Sequence, residues 1–159
     1  MAKAKVSEKY TRGLKESTAA KRKAEIRKRA AGKSKSFKPL PGDKKAKTKE
    51  SQYTKRVKRS GIRKRILERA TKLKGSQDDR FVKAVALETG ISKGIIDQVF
   101  KRGQAAWRVG HRPGATQAQW SRARVYSFLS KGKTTKTGDA DLYQKAQKAL
   151  KAKGKSFSF

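Results

Sequence analysis

The chain contains no cysteine, which excludes disulfides, thiolate chemistry and thiolate-bound zinc, and its single histidine leaves no histidine-rich metal site. No run approaches the roughly 20 apolar residues that a membrane-spanning helix needs. The first thirty residues hold no apolar stretch of the signal-peptide kind, so neither membrane insertion nor a secretory leader is expected. Acidic residues are also scarce: 12 Asp plus Glu stand against 45 Lys plus Arg, a formal net charge of +33 in 159 residues. That excess is far beyond what solubility requires and makes a polyanion the default partner. Each phosphate neutralised by Lys or Arg releases condensed counterion, so steep salt dependence with little intrinsic sequence preference is expected.

The charge is uneven. Residues 1–76 hold 28 basic and 6 acidic residues, whereas residues 77–159 hold 17 and 6. Residues 1–59 have few apolar side chains and include Phe37-Lys38-Pro39-Leu40-Pro41-Gly42. Such a segment buries too little surface to offset its ordering entropy, which predicts a long basic N-terminal arm, largely disordered or extended. Within it, Val6, Tyr10 and Leu14 share a helical face, and residues 19–31 are rich in helix formers that a polyanion would order. Lys21, Arg22, Lys23, Arg27, Lys28 and Arg29 are its candidate phosphate contacts.

From Ser60 the pattern becomes helical. Ile62, Ile66, Leu67, Ala70 and Leu73 form a one-sided stripe ending at Gly75, with Arg63, Lys64 and Arg65 on other faces. Asp78 or Asp79 is placed to cap a second helix, carrying Phe81, Val82, Val85 and Ala86 and stopping near Gly90. Ser92 caps a third, with Ile95, Ile96, Val99 and Phe100, expected to end at Gly103. Thr116 caps a fourth, through about Ser130, whose apolar residues lie on more than one face. Asp139 and Asp141 open a last helix, where a helix N-terminus favours carboxylates. No convincing strand alternation occurs. The expected fold is all-α: about five short helices in residues 60–152, after the arm and before a frayed tail at 153–159.

The sharpest local pattern is helix-turn-helix-like, with Ala86 at a close crossing, Gly90 in the turn, and Ile96 and Val99 on the inner face. In a groove-reading protein the second helix would present Lys93, Gln98 and Lys101, with Asp97 awkwardly placed. Two packed helices without base readout explain the same residues. The stretch from Lys101 to Pro113 interleaves Arg102, Arg108, His111 and Arg112 with Trp107, a pattern that clamps phosphate and stacks on a base. Trp107 and Trp120 also suit the core that so small a domain needs. His111 has no carboxylate or nucleophile beside it in sequence, and no paired carboxylates, metal cluster or nucleophile–base set can be assembled. No enzyme, cofactor, metal or small-molecule substrate is therefore expected.

The run Gly103…Gly110-His111-Arg112-Pro113-Gly114-Ala115-Thr116…Trp120…Ala123-Arg124…Ser127…Gly132-Lys133…Asp139…Asp141-Leu142 resembles a family of small basic proteins from large DNA viruses of algae and protists and from some phages. Upstream, Leu87…Thr89-Gly90-Ile91-Ser92-Lys93, Lys35-Ser36-Phe37-Lys38 and Gln52-Tyr53-Thr54-Lys55 resemble further landmarks of that family. The family's function is uncharacterised. The resemblance implies a viral context: a virion component, present in the host cell during assembly, contacting viral DNA or acidic capsid proteins within a large assembly. A helix-turn-helix regulator and a ribosome-type RNA-bound protein are the alternatives from other classes.

Overall fold

A computed structural model describes residues 4–33, 43, 52–110 and 114–157. Among these the chain is entirely helical. Seven α-helices occur: α1 (Glu16–Ala30), α2 (Gln52–Arg59), α3 (Ile62–Thr71), α4 (Gln77–Thr89), α5 (Lys93–Val109), α6 (Gln117–Leu129) and α7 (Ala140–Ala152). Short 3-10 turns lie at Glu8–Tyr10 and Lys133–Lys136. Two compact units divide the chain: Met1–Lys49 with Gln104–Trp120, and Glu50–Gly103 with Ser121–Phe159.

The first unit overturns the expectation of a long disordered arm. In α1, Arg22, Ile26 and Arg29 recur at helical spacing and form its buried face, with Ile26 fully enclosed. The two arginines do not repel the fold open, because each has partners remote in sequence. Arg22 donates to the Tyr10 carbonyl at 2.9 Å and pairs with Asp43. Arg29 donates to the Gly110 carbonyl and lies over the Trp107 ring, 5.6 Å from its centroid. Burial lowers the Arg29 pKa from its ordinary value, partly offset by Glu25. Trp107 is buried and its indole Nε1 donates to the Ala115 carbonyl at 2.9 Å, so in this unit it is an anchor. The proline-containing phrase at 37–42 lies outside the described residues.

The second unit has one continuous core, drawn from Val57 of α2, Ile62 and Ile66 of α3, Phe81, Val82 and Val85 of α4, Ile96, Val99 and Phe100 of α5, Val125, Phe128 and Leu129 of α6, and Leu142 and Leu150 of α7. Here α2 again contradicts the disordered-arm reading: it buries Thr54 and Val57, so ordered structure precedes residue 60. Helix α4 starts at Ser76, whose hydroxyl accepts from the Asp79 amide at 3.2 Å, and not at the carboxylates that follow it. It stops at Gly90, which takes φ +73°, a left-handed cap conformation suited to glycine. Ser92 caps α5 through the Ile95 amide at 3.4 Å. Thr116 and Gln119 exchange hydrogen bonds of 3.0 and 3.1 Å at the start of α6, a reciprocal capping box.

Gly103 does not stop the third expected helix: α5 continues to Val109. A Cβ at Gly103 would sit 2.7 Å from the Ser121 Cα, so glycine there permits close approach of α6 and is no terminator. The tail, expected to be frayed, packs onto the core at Phe157, the last described residue. Phe157 is only 7% exposed and packs edge-on against Tyr143 and Phe128, at centroid distances of 4.8 and 5.8 Å. Phe157→Ala is therefore expected to cost about 3 kcal/mol. Urea denaturation checks this, and an unchanged midpoint would contradict the packing role.

Candidate functional site

In the second unit the carboxylates decide which cations remain available. Asp139 is fully buried and accepts two parallel hydrogen bonds of 2.9 Å from Nε and Nη2 of Arg124. Arg102 grips the neighbouring Asp141 bidentately at 2.7 and 2.8 Å, donates to the Gly138 carbonyl at 2.6 Å, and approaches Asp139 at 3.4 Å. The Arg102 hydrogen bonds hold the Asp141 carboxyl well below the usual carboxylate range, and Asp141 in turn raises the Arg102 pKa. Asp139 occupies the N-cap position of α7, but its side chain makes no capping hydrogen bond; it anchors arginines. Arg102, a candidate nucleic-acid contact from sequence, thus belongs to this clamp. Its partner Arg124 was not anticipated as functional, because residues 15 positions apart, across a turn, carry no local pairing signal.

The other carboxylates of this unit follow the same rule. Glu68 lies 3.9 Å from Lys64, Asp78 3.4 Å from Arg122, and Asp97 2.7 Å from Lys101. Glu88 faces Arg69 at 2.5 Å and Arg65 at 3.4 Å, and Asp79 faces Lys83 at 2.6 Å and Lys93 at 3.2 Å. Those hydrogen bonds lower the Asp79 pKa, that from Lys83 foremost. Every described carboxylate of the unit is therefore beside a cation of the same unit, while exposed Lys55, Lys58, Arg59, Lys72 and Lys74 extend outward from α2 and from the end of α3.

The candidate contacts consequently separate into three groups. Arg22 and Arg29 turn inward, and Arg102, a third exposed, is held by Asp141 and the Gly138 carbonyl; all three are structural. Arg63 is half-buried, 6.0 Å from the Tyr126 ring centroid. Arg65, Lys93 and Lys101 rest on Glu88, Asp79 and Asp97, which weakens the groove-reading face of α5 and leaves Gln98 exposed between engaged lysines. Lys21, Lys23, Arg27 and Lys28 form the exposed face of α1, with only the loose Lys28–Glu25 pair at 3.8 Å across it. Lys64 and Arg108 are also exposed. Arg112 and His111 lie outside the described residues. Of the two readings open for Trp107, its burial agrees with the core anchor and not with a base-stacking clamp.

Among the described residues no group of three or more His, Cys, Asp or Glu could hold a metal ion, and no helix is long and apolar enough to cross a membrane. The fold and its surface define a basic, all-helical protein in whose second unit ion pairs engage the described carboxylates. The chain belongs to a family of unknown function, DUF5824, whose match spans residues 7–151. No curated protein and no solved structure matches the chain.

Two consequences of the clamp are measurable. Asp139→Asn leaves the Arg124 guanidinium without its buried anion and is expected to cost about 3 kcal/mol in chemical denaturation. For Asp141 the folded pKa lies below the unfolded one, so its contribution is present above the unfolded value and lost as pH falls through the folded one. The stability gap between the wild-type chain and Asp141→Asn should thus be full above about pH 5 and shrink below about pH 4. A gap that stays constant from pH 6 to pH 3 would contradict it.

Proposed function

We propose that this protein is a non-enzymatic structural component of a virus particle that binds nucleic acid through its phosphate backbone. The observation that carries the reading is the partition of charge. In the second unit each described carboxylate is paired within the unit, yet the unit retains 25 basic against 8 acidic residues. The first unit, with 20 basic and 4 acidic residues, presents Lys21, Lys23, Arg27 and Lys28 together along α1. Cations so arranged create a field that attracts phosphate without selecting sequence. The viral setting rests on the resemblance of residues 103–142 to basic proteins of large DNA viruses and phages. An acidic capsid surface is a further contact of the same electrostatic kind. Base readout by the α4–α5 pair is not part of the proposal, because Lys93 and Lys101 are held by Asp79 and Asp97.

Fluorescence anisotropy with a labelled duplex, titrated with salt, tests the reading. The wild-type chain should show a steep linear fall of log K with log salt. Replacing Lys21, Lys23, Arg27 and Lys28 together by Gln should reduce the slope by up to about 3.6, at roughly 0.9 for each phosphate no longer neutralised. Arg22→Gln should instead lower thermal stability, since its side chain is engaged inside the first unit. An unchanged slope in the fourfold variant would remove α1 from the interface.

A further inference from the structure

We infer that the second unit holds a pocket for one unpaired base of a single-stranded nucleic acid, between the end of α3 and the start of α4; this rests on the nucleic-acid reading above and narrows its ligand. A cavity of about 190 Å³ opens there, with Leu67, Ala70 and Phe81 as its apolar lining. Leu67 is 42% exposed, although the inward face of α3 is already supplied by Ile62 and Ile66. An exposed leucine at the mouth of an apolar cavity is the platform that a flat ring requires.

The polar lining matches the rest of a nucleotide. Arg80 and Arg122 both line the cavity, and the Nε of each is buried without a hydrogen-bond partner among the described residues. The guanidinium groups of these two arginines bring N–H donors to the cavity wall, which an acceptor-bearing ligand can engage. The planar Arg122 guanidinium lies over the Phe81 ring, 5.2 Å from its centroid, and its Nη2 is 3.4 Å from Asp78. Gln77 contributes an amide that both donates and accepts, as the edge of a base requires. Thr71 adds a hydroxyl whose proton goes to the Glu68 carbonyl at 2.7 Å, leaving its oxygen as an acceptor. Exposed Lys72 and Lys74 follow directly in sequence and are placed for the adjoining phosphates. In a duplex, base faces are stacked and their edges paired, so a single strand fills such a pocket without the unpairing and unstacking that a duplex requires.

The test compares three labelled probes with the full chain at one salt concentration: a thymidine 20-mer, an abasic 20-mer with the same number of phosphates, and a 20-base-pair duplex. One stacked base should make the thymidine strand bind about tenfold tighter than the abasic strand. Leu67→Ser, at an exposed position, and Arg80→Lys, which keeps the charge but not the planar group, should each remove that preference. Their abasic-strand affinity and thermal melting should stay at wild-type values. Equal wild-type affinity for thymidine and abasic strands would overturn the pocket while leaving phosphate binding intact. So would a preference unchanged by both substitutions. Binding of a labelled acidic peptide carrying one leucine, abolished by Leu67→Ser while the two strands bind alike, would assign the pocket to an acidic protein segment and overturn the proposal. Failure to bind any of the three nucleic-acid probes would sink the nucleic-acid reading itself.

Discussion

Asp139 lies buried between Arg124 and Arg102, and the geometry of the second unit depends on that arrangement. A carboxylate removed from water is tolerated only when its oxygens are fully matched, and a bidentate guanidinium does this in one fixed orientation. The pairing ties α6 to the start of α7, while Arg102 ties α5 to the Gly138 carbonyl and to Asp141. Three helices are thereby set in register around the aromatic contacts of Phe128, Tyr143 and Phe157. In a chain of this charge the same pairs also screen cations that would otherwise repel one another across the interior.

The helical character of the second unit was legible because its signals are local. Ile62 and Ile66, the run from Phe81 to Val85, and the run from Ile95 to Phe100 recur with helical spacing, and Gly90 and Ser92 mark boundaries by capping chemistry that operates within a few residues. The first unit was not legible, because its order depends on partners far along the chain. Arg29 needs Gly110 and Trp107, and Arg22 needs Asp43; composition alone registers these arginines as repulsive charge. Gly103 misleads for a related reason. Its function is close helix approach to Ser121, which a purely local reading of the sequence assigns to termination.

The same distinction governs the candidate contacts. Sequence places basic residues but does not say which way they face. Arg22, Arg29 and Arg102 are indistinguishable by composition from Lys21, Lys23 and Arg27, yet the former are structural and the latter exposed. Arginine is the residue suited to the inward role, since its planar fork satisfies a carboxylate or carbonyl with little loss of freedom, while lysine keeps a compact, well-hydrated charge outside. The described surface follows that division: exposed lysines dominate the outer faces, and the most enclosed basic side chains are arginines. The result is a second unit whose described carboxylates are turned to its own cations, with further basic side chains exposed on its surface and on α1; under the proposed function these are the groups that meet an external polyanion.

The most direct test of the proposed virion role is quantitative mass spectrometry of gradient-purified virus particles, before and after nuclease digestion and high-salt stripping. If the outward charge serves to bind the genome, the chain is present in intact particles and leaves with the nucleic acid. Its absence from purified particles would contradict the proposal.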